Sequence, residues 1–186
     1  MIDPVQHVEL DPQCASLVLK TFRRGMASTV GHDLTLLVAD WTAEIEVAPA
    51  PAASTVTATI RTGSITVAGS SGGVTPLTAG NRRDIEKTLR KQLGSTRHPE
   101  AVFASTGVTA ADGQVDVAGT LTLAGVGVPV RLTVREPAPE QFLVTGTVRQ
   151  SDFGITPYSA LFGALQVRDE VEIELEVEVG VDLSVL

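Results

Sequence analysis

The stretch EVEIELEVEV, residues 170–179, decides the fold of this chain because acidic and aliphatic residues alternate along it without interruption. Successive side chains of a β-strand point to opposite faces of the sheet, so one face carries glutamates and the other carries aliphatic side chains. A row of carboxylates repels itself unless water and counterions screen it, so the glutamate face must be the outer one. The aliphatic row therefore faces an interior, and it consists of Val171, Ile173, Leu175, Val177 and Val179.

The rest of the chain repeats this strand pattern. Short alternating runs rich in threonine and valine are separated by Gly, Pro, Asn or Asp, which is typical of an all-β protein. The candidate strands are HVELD, ASLVLKTF, DLTLLV, WTAEIEV, TVTATIRTGSITV, AVFASTGV, QVDVAGTLTLA, VPVRLTVRE, FLVTGTVRQ and the glutamate-rich strand. We expect some to merge and predict an antiparallel barrel of about eight strands, because closure into a barrel removes exposed strand edges. Residues 48–54 and 68–76 read as loops, the second flexible.

One segment departs from the strand pattern. Residues 81–94, NRRDIEKTLRKQLG, place Ile85, Leu89 and Leu93 at helical spacing and end in Gly94, which predicts an amphipathic helix with a glycine C-cap. A shorter helical turn is predicted within residues 156–163. Because helices are so few among so many strands, we predict that they cover the mouth of the barrel and do not form a separate layer.

Length and composition predict one domain over residues 1–186. Hydrophobic residues make up 43% and charged residues 19%, with a mean hydropathy of +0.20, values that suit a folded domain. The sequence shows neither a membrane-spanning segment nor a secretory signal, so we expect a cytoplasmic protein. A single cysteine, Cys14, excludes an internal disulfide and fits a reducing compartment.

Charge and motif content exclude several function classes. The net charge of −8 argues against a nucleic-acid partner, which requires a basic surface. The chain has no Gly-x-Ser-x-Gly turn for a nucleophilic serine, and its three histidines and single cysteine have no zinc-type spacing. We therefore predict a non-catalytic protein without a metal or cofactor.

Two polar features have a functional and a structural interpretation. His32 could point into the barrel and contact a polar head group, or it could hydrogen-bond locally and fix a turn. The helix carries five of the fourteen basic residues, and Arg83, Lys87 and Arg90 share a face. That face could meet a phosphate head group or an anionic membrane, or it could be a solvated face paired with Asp84 and Glu86.

Side-chain size indicates what the interior holds. The inward rows are mainly Val, Leu, Ile, Ala and Thr, which leave space in a barrel of this size. An empty apolar space loses dispersion contacts, so a hollow interior favours an apolar guest. The alternative is a filled barrel that serves as a structural protein and binds a protein partner. The sequence leaves open whether two barrels pair as a homodimer.

Several blocks, read in order, resemble the YceI-like family. They are VELDPQCASLVL, RHPEAVFASTGV, GTLTLAGVGVPVRLTV, RQSDFGI and VRDEVEIELEVEV, and they extend over nearly the whole chain. The resemblance implies a lipocalin-like barrel that binds a long isoprenoid, a polyprenyl chain or an isoprenoid quinone, without catalysis. Many relatives are periplasmic, whereas no signal is expected for this chain from its N-terminal residues. It also has Gln13 and Cys14 where relatives carry a polar His/Ser pair, and it reads RRDIEKTL where a histidine often follows Arg-Asp.

The barrel interpretation predicts which residues contact the guest. Those of the lumen and mouth are Phe22, His32, Leu89, Phe103, Phe153, Tyr158, Phe162, Ile173, Leu175 and Val177. Head-group contacts are predicted for Arg83 and Lys87. Trp41 and Phe142 are further large side chains available to line or fill the interior.

Overall fold

The computed structural model of the chain describes residues 5–111 and 113–177. These residues form twelve strands, one α-helix and short 3-10 helices. The strands are β1 (Gln6–Leu10), β2 (Ala15–Arg24), β3 (Asp33–Val38), β4 (Trp41–Val47), β5 (Thr55–Arg61), β6 (Ile65–Ser71), β7 (Glu100–Ala111), β8 (Gln114–Leu123), β9 (Val126–Ala138), β10 (Gln141–Arg149), β11 (Ser159–Ala160) and β12 (Leu165–Val177). The helix α1 spans Ala79–Gln92, and no helix of the described ranges is long and apolar enough to cross a membrane.

All strands belong to one antiparallel sheet. Its order is β1-β4-β5-β7-β8-β9-β10-β12-β2-β3-β6, and β11 pairs only with the start of β12. Register shifts interrupt the pairing in several strands, including β3, β7 and β12. Such bulges bend a strand and increase its twist, which lets a long sheet curl. Strands from both halves of the order line a common interior, so the sheet is barrel-like.

The predicted all-β antiparallel fold is confirmed, but the strand number of about eight was too low. None of the candidate strands merged, and TVTATIRTGSITV is two strands, β5 and β6. A 3-10 turn at Thr62–Ser64 separates them, and they pair with different neighbours, β7 and β3. Strand β6 also runs to Ser71, so the predicted loop over residues 68–76 begins later than expected.

Thr62 holds the turn between β5 and β6. The side chain is 1% exposed, and its Oγ1 lies 2.9 Å from the His98 carbonyl and 3.2 Å from the Pro99 carbonyl. A hydroxyl has one proton, so it donates to these two acceptors in a shared hydrogen bond. The hydroxyl thereby joins the β5–β6 turn to the start of β7.

We expect Thr62→Val to lower the free energy of unfolding by about 1–3 kcal/mol, because valine keeps the shape of the side chain and leaves the part-buried His98 carbonyl without its donor. Urea unfolding measures the difference. The matched control is Thr57→Val on the exposed side of β5. Equal unfolding midpoints for the two variants would contradict the prediction.

The helix begins two residues earlier than predicted. Thr78 is the N-cap, and its hydroxyl and the Asn81 side chain form a reciprocal capping box. Gly94 follows the C-terminal cap with a φ of +62°, a conformation that glycine adopts without a steric penalty. The predicted apolar side, Ile85, Leu89 and Leu93, packs against the main hydrophobic core.

The same helix covers an open edge of the sheet. Strand β6 is terminal in the strand order, so Val67 has a backbone N–H and carbonyl that no neighbouring strand pairs. The Arg82 guanidinium donates to the Val67 carbonyl at 2.9 Å, and the Glu86 carboxylate accepts from the Val67 N–H at 3.0 Å. Side chains of α1 thus satisfy backbone groups that would otherwise offer a template for another strand.

Residues 156–163, predicted as a single helical turn, are helical only in their last part. The segment contains the two-residue strand β11 and then a 3-10 turn at Leu161–Gly163.

Along β12, Glu170, Glu172 and Glu176 are exposed, as the alternation predicted. Glu178 and Val179 lie outside the described residues.

Candidate functional site

The curled sheet encloses a cavity of about 160 Å³. Nine strands contribute to its wall, and the lining side chains are aliphatic or aromatic except for Ser54. The lining residues are Leu10, Leu17, Trp41, Ala43, Ile45, Ser54, Val56, Ala58, Ile60, Phe103, Val108, Val115, Val117, Leu121, Val130, Leu132, Val134, Phe142, Val144, Ile173, Leu175 and Val177. An apolar cavity of about this size stays dry and accepts small apolar molecules.

The polar atoms of the lining are few. The Ser54 hydroxyl already accepts a hydrogen bond from the Ala48 N–H at 3.0 Å. The indole nitrogen of Trp41 is buried and has no hydrogen-bond partner among the described residues. Water or a ligand is the usual partner of such a buried donor. Trp41 is also the only tryptophan of the chain, so its fluorescence reports on the cavity wall.

The inward row of β12 supplies three of the predicted residues. Ile173, Leu175 and Val177 line the cavity, while Val171 of the same row is half-buried outside the lining. On the outer face, the Lys20 ammonium donates to the Glu174 carboxylate at 2.7 Å. The alternation thus separates an apolar interior from a charged exterior along one strand.

A glycine positions the aromatic ring of Phe103 on the cavity wall. Phe103 is 5% exposed and lies on β7 opposite Leu121 of β8. A Cβ at Gly119 would collide with the ring of Phe103 and with the Ala104 carbonyl. The absent side chain of Gly119 lets the ring lie against the backbone of β8, so the ring forms part of the wall.

Besides Leu89 of α1, five predicted contacts are not part of the cavity lining. Phe22 stacks under the Arg168 guanidinium, 5.7 Å from the ring centroid, in the outward row of β2 that also contains Lys20. The His32 ring nitrogen Nε2 donates to the Thr75 carbonyl at 2.8 Å, so the imidazole joins two loops that are far apart in sequence instead of fixing a local turn. The remaining three, Phe153, Tyr158 and Phe162, are described next.

Phe153 is 2% exposed and borders a second depression, together with Val128 and Val148. Tyr158 and Phe162 are exposed to solvent, Phe162 over its entire surface. The sequence pattern shows that these side chains are large and apolar, but it does not show on which side of a turn they emerge. Their contact with a guest stays a prediction.

The predicted helix residues divide between core and solvent. Leu89 packs on the core that includes Trp41, so it supports the cavity wall from outside. Arg83 and Lys87 are exposed, and no ion pair joins either of them to an acidic side chain within the described ranges. Glu86, expected as an ion-pair partner, bonds to Val67 instead.

A polar connection fixes the segment between β10 and β12. The Ser151 hydroxyl and the Ser151 N–H both donate to the Asp169 carboxylate. The hydroxyl bond is the main reason that the pKa of the Asp169 carboxyl lies below its ordinary value. Within residues 5–111 and 113–177 we find no cluster of three His, Cys, Asp or Glu side chains that could hold a metal ion.

Most of the lining was not singled out from the sequence. Val115 and Val117 of β8 and Leu132 of β9 belong to it without having been named, whereas Trp41 and Phe142 were named as side chains available to line or fill the interior. Alternation within β8 and β9 contained the signal, because every second residue of each strand faces inward. Glutamates identify the outer row in β12 and β4, but β8 and β9 have no such acidic row to show which of their two rows is the inner one.

Comparison with known sequences shows the family to which the chain belongs. A family model, the YceI-like domain, matches residues 9–179. A UPF0312 protein of Pectobacterium carotovorum subsp. carotovorum is 33% identical over 117 residues, 57% of this chain and 54% of that protein. The chain therefore matches only about half the length of this curated relative.

Solved structures show the same fold. BcnA of Burkholderia cenocepacia superposes with a TM-score of 0.61 at 17% identity, covering 88% of this chain and 94% of that one. A polyisoprenoid binding domain from Saccharophagus degradans gives 0.53 at 12% identity, covering 95% and 100%. The Campylobacter jejuni YCEI protein gives 0.53 at 20% identity, covering 81% and 84%. At these identities the likeness is one of fold.

Proposed function

Because the chain belongs to the YceI-like family, we propose that it binds the apolar chain of an isoprenoid lipid in the interior cavity and carries it unaltered. The apolar lining is the observation that carries this proposal. Among the described residues, the one hydroxyl of the lining, on Ser54, accepts a hydrogen bond from the Ala48 N–H, and the lining contains no acidic, basic or thiol side chain for acid, base or nucleophilic chemistry. The polyisoprenoid-binding relative from Saccharophagus degradans supports the choice of an isoprenoid.

The size of the cavity limits how much of the guest it holds. The volume of about 160 Å³ is close to that of an engineered cavity that binds benzene, about 150 Å³. Such a space accepts roughly one ring or one short branched unit. A long prenyl chain therefore requires that the interior widens, or that much of the chain stays outside the cavity.

The first experiment is native mass spectrometry of the purified protein, followed by organic extraction and mass analysis of what is released. We expect a prenyl lipid or an isoprenoid quinone in stoichiometric amount. A guest-free mass that persists after incubation with such lipids would contradict the proposal. That result would favour the alternative in which the barrel recognises a protein partner.

Affinity should also depend on chain length. We expect affinity to rise from isoprenol to geraniol by about 0.8 kcal/mol for each carbon that becomes buried, until the cavity is full. A further rise through farnesol to geranylgeraniol would show that the interior widens around a longer chain. Trp41 fluorescence provides the titration signal because the ring lines the cavity. An affinity that is independent of chain length would show that the tail is not buried.

A further inference from the structure

Six large apolar side chains are exposed at one end of the sheet. They lie on the loops that follow β2 and β6 and on the segment that precedes β12, and we call them the apolar tip. The apolar tip consists of Met26, Val30, Val74, Tyr158, Leu161 and Phe162. Met26 is 94% exposed, and Phe162 is exposed over its entire surface. A contiguous group of this kind usually marks a binding surface.

Contacts between the three segments show that the tip is one surface. The Ala27 N–H donates to the Ala164 carbonyl at 2.9 Å, which joins the β2–β3 loop to the segment before β12. His32 and the Thr75 carbonyl, 2.8 Å apart, join that loop to the segment after β6. Gly31 lies so close to Leu165 that a Cβ at this glycine would collide with the leucine side chain.

The backbone holds two tip residues outward at an energetic cost. Leu161 and Phe162 have φ values of +52° and +55°, a left-handed conformation that is unfavourable for residues other than glycine. Strained conformations of this kind concentrate at functional sites. Burial within the protein would stabilise both side chains, but the fold exposes them. Contact with a binding partner would bury both side chains and offset the cost of the strained backbone.

The charge around the tip indicates the kind of partner. The chain has 22 acidic residues, yet residues 24–32, 62–83 and 153–168 contain none. These segments include the whole tip, and they carry the exposed Arg24, Arg83 and Arg168. A second copy of the chain would bring like charges together, whereas an anionic lipid surface attracts them.

We infer that the apolar tip docks the protein on a bilayer surface that contains anionic lipids. Phe162, Leu161 and Met26 enter the boundary between head groups and acyl chains, and the arginines meet the lipid phosphates. The inference goes beyond the proposed function, because docking requires no guest in the cavity. The docked position would place the protein on the bilayer from which an apolar guest is taken up or to which it is delivered.

Vesicle sedimentation tests the inference. The wild-type protein is mixed with vesicles of phosphatidylcholine alone or with added phosphatidylglycerol, and the bound fraction is measured at low and high salt. We expect binding to the mixed vesicles that weakens as salt is added. We expect Met26→Ser/Phe162→Ser to bind at least about tenfold more weakly, since both apolar side chains leave the bilayer. The matched control is Val102→Thr, on the outer face of β7.

Each other result overturns the inference. Wild-type protein that stays in the supernatant with mixed vesicles overturns it, and so does a double variant that binds like the wild type. A wild-type dimer that the double variant converts to a monomer, without vesicle binding, assigns the tip to a second copy. Unfolding midpoints verify that the variants are folded, and guest content measured by extraction tests the proposed function separately.

Discussion

Leu175→Trp is expected to yield a folded protein that has lost its apolar guest. Leu175 lines the cavity on β12, and a space of about 160 Å³ can accept much of the additional volume of an indole ring. The ring then occupies the position of the guest. If the interior were already filled, overpacking would instead lower the free energy of unfolding by about 1–3 kcal/mol.

Native mass spectrometry and urea unfolding, performed on the same samples, distinguish these results. The matched control is Glu176→Trp, which places the same ring on the exposed face of the same strand. We expect the control to retain both the guest and the stability. A folded Leu175→Trp protein with unchanged guest content would show that the guest lies elsewhere.

Phe103→Ala is expected to produce the opposite change, with a larger cavity and a less stable protein. The ring is 5% exposed and forms part of the cavity wall. Removal of a buried phenylalanine side chain costs about 3–5 kcal/mol, because the transfer free energy is lost and a void remains. Phe103 covers the backbone at Gly119, which has no side chain of its own to fill the space.

A guest should restore part of this loss, since a ligand that binds only the folded state raises its stability. Thermal unfolding with and without farnesol measures the effect, and Val102→Ala on the outer face is the matched control. We expect a larger stabilisation by farnesol in Phe103→Ala than in the control. Equal stabilisation of both variants would place the binding site away from Phe103.

Substitutions in the cavity and substitutions in the apolar tip should affect different properties of the protein, guest binding and vesicle binding respectively. The cavity variants should change guest content while vesicle binding persists, because Leu175 and Phe103 face the interior and are not part of the apolar tip. Met26→Ser/Phe162→Ser should change vesicle binding while Trp41 still reports prenyl alcohols. If all of these variants lost both activities, docking would depend on the bound guest.

Local patterns were sufficient for much of the fold. The alternation along β12 fixed its inner and outer faces, because a strand turns every second side chain to the same side. The helical spacing of Ile85 and Leu89 identified α1, and Gly94 marked its end, since few other residues tolerate a positive φ there. WTAEIEV coincides with β4 as predicted.

Long-range contacts decided what these patterns could not. The division between β5 and β6 depends on a hydrogen bond from Thr62 to a carbonyl 36 residues later. One interpretation of the sequence paired Glu86 with the basic face of the helix, but Glu86 bonds to the open edge of β6, as does Arg82. Phe22 was expected in the lumen, but the register of β2 with β12 places it on the outward row beside Arg168.

The sequence by itself determined that the chain forms antiparallel strands with one amphipathic helix and encloses an apolar interior. Periodicity, charge repulsion and capping act between neighbouring residues, so these features are visible in the order of the amino acids. Only the tertiary structure decided that the interior retains a cavity and that Phe162 faces solvent. The cavity depends on how far side chains from distant strands fill a shared space, and the position of Phe162 depends on a left-handed backbone that the residue pattern does not encode.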